Sequence, residues 1–341
     1  MNPSTTQLLG TIEILLQEEM ECILPYNHSS YWQPFYWESS VKEEFNLISL
    51  LYSQGWMKNT DIEIAINNWQ EIEKNGIPTP EEYNSYADGI LEEEEEEEYE
   101  YEESEQFGEY EEEIVDRKSP EFHQRKNIYQ QLSELSKSKL QNLEVYQFSC
   151  SVVYSCFAII GQVDDESWIC VTSTVPKETP DFDYIIVTEN NTEIPFDKAK
   201  TDLEFQIDKI IESLKSVLIY GHYDGGYDHT YLHKIIYQTA STKQTAIQNA
   251  LIKSGFLQIA KFKSFYPDER EYLFQSFGSE EEGEELYQKY QHLNSFLKAK
   301  FSDKIVYTFR FWDYTQIFIF GESVENDRAG LRLTSEFDYN P

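Results

Sequence analysis

The chain lacks most of what marks an enzyme, a membrane protein or a nucleic-acid binder. No apolar run approaches the roughly 18–20 residues that a membrane span needs. Residues Met1 to Val41 contain no Lys or Arg, so the basic start of a secretory leader is missing. The four cysteines, Cys22, Cys150, Cys156 and Cys170, show neither CxxC spacing nor the density of a disulfide scaffold. Three lie in strand-like apolar stretches, where a buried free thiol is expected, and a reducing, cytoplasmic location follows as the expectation. A GxSxG elbow, a phosphate-binding GxxxxGK[ST] loop and a dinucleotide-type GxGxxG are all absent.

Basic residues are also scarce. Against 63 Asp+Glu stand 27 Lys+Arg, for a formal net charge of −36. Fifteen glutamates fall in Glu92–Glu113 with no base among them, and taking those fifteen charges from −36 still leaves −21. The folded parts are therefore acidic in their own right. Such a chain repels nucleic acid and anionic membrane, so no direct nucleic-acid binding and no membrane partner are expected, whereas a basic protein surface attracts it.

What is present is one pattern written twice. Tyr129-Gln130-x-Leu132, Lys137-x-Lys139 and Val145-Tyr146-x-Phe148 recur as Tyr290-Gln291-x-Leu293, Lys298-x-Lys300 and Val306-Tyr307-x-Phe309, eight identities in twenty positions at an offset of 161. Downstream, Ile159-Ile160-Gly161 meets Ile319-Phe320-Gly321. So long a period marks a duplicated domain and not a solenoid. The 341 residues suit two domains of roughly 150 residues each, with aromatics enough to build two cores.

The apolar spacing predicts the same order of elements in both repeats. An opening helix carries Leu8, Leu9, Ile12, Leu15 and Leu16 in repeat one, and Ile207, Ile210, Ile211, Leu214 and Leu218 in repeat two. Aromatic segments follow, Tyr31–Glu38 and Tyr227–Tyr237, then helices around Ile62–Lys74 and Ser241–Ser254. A helix near Arg125–Leu140 recurs near Glu281–Phe301. Three strands close each repeat, Glu144–Ser149, Tyr154–Gln162 and Trp168–Val175, then Lys304–Trp312, Gln316–Glu322 and Ala329–Glu336. Acidic turns between them favour antiparallel hairpins. The reading is α+β, two tandem α-β-α sandwich domains with mainly antiparallel sheets. Repeat one spans 1–187 with an acidic, flexible insertion over 85–116, a linker spans 188–199, and repeat two spans 200–341.

Chemistry is thin. His222, His229 and His233 cluster with Asp224 and Asp228, and His229/His233 are four apart, as in helical zinc pairs. Residue 230 is Thr, so the glutamate of a metalloprotease motif is missing, and repeat one has no counterpart. Carboxylates are too numerous for any pair to be specific as general acid and base. No catalytic residue, metal site or cofactor is assigned, and the chain is not expected to be an enzyme.

The closing segment of each repeat, a Lys-rich helix leading to Val-Tyr and an aromatic strand ending in Ile-Gly or Phe-Gly, is recognisable. With the acidic turn and Thr172–Thr179, it resembles the nuclease A inhibitor-like family. Phe35-Tyr36-Trp37-Glu38 stands where that family has Phe-x-Trp-Glu. The resemblance covers both repeats outside the insertion and the linker. It implies an α-β-α sandwich and a non-enzymatic inhibitor that occupies the basic, metal-containing cleft of a sugar-nonspecific DNA/RNA nuclease. It also implies partner-binding roles for Glu38, Glu178, Thr179, Asp224 and Glu336. Asp224 falls near the acidic loop position after the first helix, where repeat one has Asn27 or His28. Glu178-Thr179 ends repeat one as the family ends, while repeat two runs on past Glu336. Neither copy carries the whole pattern. The alternative is an acidic adaptor or nucleic-acid mimic that meets another basic partner through the glutamate run.

Overall fold

The computed structural model describes residues 3–16, 21–23, 29–42, 44–74, 76–78, 120–152, 154–176, 186–190, 200–223, 227–265, 280–323, 326–336 and 339–340. The acidic insertion expected over 85–116 lies outside them.

Repeat one opens with α1 (Pro3–Leu16), strands β1 (Glu21–Ile23), β2 (Ser29–Tyr31) and β3 (Gln33–Trp37), then α2 (Leu47–Ser53), β4 (Met57–Asn59), α3 (Ile62–Glu73) and β5 (Gly76–Pro78). It closes with α4 (Pro120–Lys139) and strands β6 (Gln141–Phe148), β7 (Cys156–Asp164) and β8 (Ser167–Ser173). A further strand, β9 (Ile186–Asn190), takes up the first residues assigned to the linker. Repeat two runs α5 (Asp202–Leu214), β10 (Val217–Tyr223), β11 (Tyr227–His233), β12 (Ile235–Ala240), α6 (Lys243–Ser254), β13 (Leu257–Phe265), α7 (Glu280–Lys300), β14 (Lys304–Arg310), β15 (Tyr314–Glu322), β16 (Arg328–Glu336) and β17 (Tyr339–Asn340). The α+β class and the antiparallel sheets match the sequence reading.

Local chemistry sets several boundaries. The Thr201 and Glu204 side chains cap each other's backbone at the start of α5, a capping box read directly from Thr-x-x-Glu. Asn46 and Thr242 accept the Ser49 and Thr245 amides at the starts of α2 and α6. Leu9, Ile12 and Leu16 bury the predicted stripe of α1. Leu218, expected on the opening helix of repeat two, instead lies in β10, because α5 ends at Leu214.

Five layers stack in the order α1 and α7, a six-stranded sheet, α2 and α6, a five-stranded sheet, and α3 to α5. The six-stranded order is β3-β16-β15-β14-β13-β9, and the five-stranded order is β12-β8-β7-β6-β4. One core lies between the five-stranded sheet and α3–α5, with Trp69, Tyr129, Leu132, Phe157, Ile159 and Ile207 at its centre. The other fills the middle layer and both faces of the six-stranded sheet. There Trp56 meets Phe309 and Phe311, and Phe148 meets Phe256. Each of these two large sheets thus sits in an α-β-α sandwich, with the middle helices shared; a two-stranded sheet, β1-β2, and a four-stranded one, β11-β10-β17 with β5 also along β10, complete the set among the described residues.

The sheets do not follow the repeats. Edge strand β3, from repeat one, pairs with β16 of repeat two, Phe35 opposite Gly330. Reciprocally, β12 of repeat two pairs with β8 of repeat one, Ile235 opposite Ser173. The strand pairing thus crosses the boundary between the repeats, and each repeat lends the other an arm. The arms return at equivalent points. Gly55 (φ +72°) follows α2 and Gly255 (φ +86°) follows α6, the two glycines with positive φ among the described residues, a conformation that penalises any Cβ. By this order α2 is the counterpart of α6, and α3, matched to it on sequence, is an addition to repeat one.

The glycines of the repeated motif also find their reason. A Cβ on Gly161 would lie 2.6 Å from the Leu140 Cβ, and one on Gly321 would lie 2.5 Å from the Phe301 ring. In each repeat the residue that ends the Lys-rich helix rests on a bare patch of strand.

Candidate functional site

Of the five residues assigned to partner binding, Glu178, Thr179 and Asp224 lie outside the described residues. Glu38 and Glu336 are described, and they stand apart. Glu38 follows β3, whose last residue, Trp37, pairs with Arg328 at the start of β16, whereas Glu336 ends β16. Eight residues of strand separate those ends, about 27 Å at roughly 3.4 Å per residue. The two carboxylates do not form one site.

Around Glu38 the chain is held by a fixed turn. The Val41 and Lys42 amides donate to the Glu38 carbonyl at 3.2 and 2.9 Å, and the Ser40 hydroxyl donates to its carboxylate at 3.1 Å. Lys42 caps the Trp37 ring at 4.6 Å, which agrees with a core role for Trp37, itself buried. Behind the turn, the buried Asp327 accepts from the Ser39 amide and hydroxyl, both at 2.9 Å, and from the Thr5 hydroxyl at 3.1 Å. One carboxylate of repeat two thereby fastens α1 and the end of β3.

Glu336 sits in a different corner, where the two repeats meet through equivalent turns. The β6–β7 turn of repeat one brings Ser151 and Tyr154, and the β14–β15 turn of repeat two brings Trp312 and Asp313. Tyr154 stacks on Trp312 with ring centres 5.9 Å apart, and Ser151 Oγ reaches Asp313 Oδ1 at 3.5 Å. The Tyr314 hydroxyl donates to the Glu336 carboxylate. That bond first, and burial second, push the Tyr314 phenol up to about 12. The negative charge of Asp313 also acts on Tyr154, whose phenol is raised mainly by burial. Trp312 adopts a left-handed φ of 64°, a conformation costing about 1–2 kcal/mol outside glycine, and is nonetheless buried.

This corner presents two carboxylates and two phenols beside the exposed Val152. It accepts hydrogen bonds and positive charge. Sequence inspection picked Glu336 but missed Asp313, Tyr314 and Tyr154. The repeat offset was the available signal, since it aligns the two turns whose contact the fold then makes.

The histidines do not form a helical pair, because 227–233 is a strand, on which residues four apart stand roughly 13 Å from each other. Cys150, Cys156 and Cys170 are free. Among the described residues no helix is long and apolar enough to cross a membrane. No family model, no curated protein and no solved structure matches the chain.

Proposed function

We propose that the chain is a non-enzymatic protein inhibitor that seats an acidic surface in the basic, metal-containing cleft of a nuclease acting on DNA and RNA without sugar preference. The resemblance of the closing segments supplies the class of partner. The observation that carries the reading is the charge, −36 overall and −21 without Glu92–Glu113, which makes the folded surface itself a mimic of polyphosphate. Long-range attraction of that kind speeds encounter, and buried aromatic anchors slow release.

A magnesium-dependent, sugar-nonspecific endonuclease titrated with the protein on plasmid DNA tests this at low and moderate salt. The expected outcome is inhibition complete at one equivalent and still present at moderate salt. Inhibition that needs large excess or disappears with salt is polyanion competition and refutes it. The glutamate run favours a second reading, an acidic adaptor that binds another basic protein through that segment. Deleting 92–113 separates the two: the inhibitor keeps its activity, and the adaptor loses its partner.

A further inference from the structure

The arm of repeat two enters the five-stranded sheet at His233. This side chain is fully buried, and neither ring nitrogen has a hydrogen-bond partner. Its backbone pairs with Val217 at the base of the β10–β11 hairpin. On either side Thr174 grips the chain: its hydroxyl donates to the Leu232 carbonyl at 2.7 Å and accepts from the Lys234 amide at 3.0 Å.

The groups around it are few and named. From β11, the Tyr231 ring stands edge-on at 6.3 Å. From α4, the guanidinium of Arg125 acts on it electrostatically. That guanidinium is already engaged, with Glu73 of α3 at 3.1 Å and with the Leu214 carbonyl that ends α5. Glu73, its side chain 6% exposed, also accepts from the Tyr129 hydroxyl at 2.7 Å. Burial first, and the Arg125 charge second, push the His233 imidazole down to about 3.

We propose that His233 is a proton-operated latch, whose protonation releases the α5–β12 arm of repeat two from the sheet of repeat one. An imidazolium in this position has only the Thr174 backbone to favour it, which offsets part of the cost of burial and of the nearby Arg125 charge, and the carboxylate beside that cation is already taken. Release of the arm carries the ring into water, where it titrates near 6.5. The arm is held by the β12–β8 ladder, by α5 against α4, and by β5 along β10, and these contacts open as one cooperative unit. Glu73 works the other way. Burial raises its pKa in spite of Arg125, so the closed state takes that proton more readily than the open one.

Hydrogen exchange on the full chain from pH 7 to pH 4, corrected for intrinsic rates, tests the latch. Protection of 235–240 and of the facing 168–173 is expected to fall by up to about tenfold per pH unit below roughly pH 6, less steeply where Glu73 also takes up its proton, while 314–336 keeps its protection. In His233→Leu, and in the polar His233→Gln, the dependence is expected to flatten. Loss that is equally steep in either variant, or equally steep in 314–336, overturns the proposal. Because both variants alter a buried site, the wild-type ring proton is followed by NMR as well. A closed-state titration near 6.5 overturns the latch, and silence down to the opening pH upholds it.

Discussion

At the scale of single residues, buried polar groups do more to specify this fold than surface charge does. Eight ion pairs are formed among the described residues, and apart from Arg125–Glu73 their side chains are 23–68% exposed, so that water screens them and such pairs stabilise by about 1 kcal/mol or less. Asp327 is different, because three donors from repeat one converge on it. Asp327→Ala leaves the Ser39 amide without this acceptor and the Thr5 hydroxyl with only Ser323 Oγ, 3.0 Å away, and is expected to cost about 2–3 kcal/mol. Urea unfolding measures the cost, and faster hydrogen exchange in 29–42 locates it. The thiols make a pH prediction. Burial pushes Cys156 up to about 12 and raises Cys170 as well, against roughly 8.5 in an unfolded chain. The native state therefore holds these protons longer than the unfolded state does. Stability is retained below about pH 8.5 and falls as pH rises beyond it, by about 1.4 kcal/mol per unit for each thiol. Alkylation of native protein at pH 8 is accordingly expected to leave both cysteines unlabelled.

At the scale of elements, the strand that receives the borrowed β3 is itself packed tightly on its other side. Gly330 of β16 pairs with Phe35 of β3 and with Phe320 of β15, and a Cβ there would lie 2.0 Å from the Ile319 carbonyl and 2.7 Å from the Phe320 Cα of β15. Backbone atoms cannot rotate away, so Gly330→Ala is expected to destabilise by about 3 kcal/mol, measured as a lower denaturant midpoint. The closing helices and strands of both repeats were legible from apolar spacing, which agrees with the structure to within a few residues at most ends. The short helix α2 was not legible. Its seven residues fall below the length at which a 3.6-residue period can be told from a strand-like apolar run, and tertiary packing makes it helical. Nor was the β9 pairing legible, since Thr188–Asn190 reads as a polar connection until β13 offers it an open edge.

At the scale of the whole molecule, reciprocal exchange makes the two repeats mutually dependent. A protease site placed within 191–199 and cut after folding is expected to yield halves that co-elute under native conditions, because each retains an edge strand in the other's sheet. Halves that separate would show that exchange contributes little to holding the molecule together. The separation of Glu38 from Glu336 carries a second expectation. Charge reversal at each, read as the midpoint of nuclease inhibition, should give effects that add in free energy, since sites well beyond 10 Å apart with no shared partner rarely couple.

The sequence by itself determined the acidity, the duplication, the α+β class and most element boundaries. All of these follow from composition and from contacts short enough in sequence to leave a period. The strand that ends at Glu336 was legible in the same way, whereas the role given to that carboxylate came from the family resemblance alone. Only the tertiary structure decided which repeat completes which sheet. An edge strand carries the same alternation whichever sheet receives it, and its partner is chosen by chain path and by long-range fit, as at Phe35 against Gly330 and Trp32 against Tyr290. For the same reason the meeting of the two equivalent turns around Glu336, and the burial of His233 beside Arg125, were settled by packing between segments far apart in sequence.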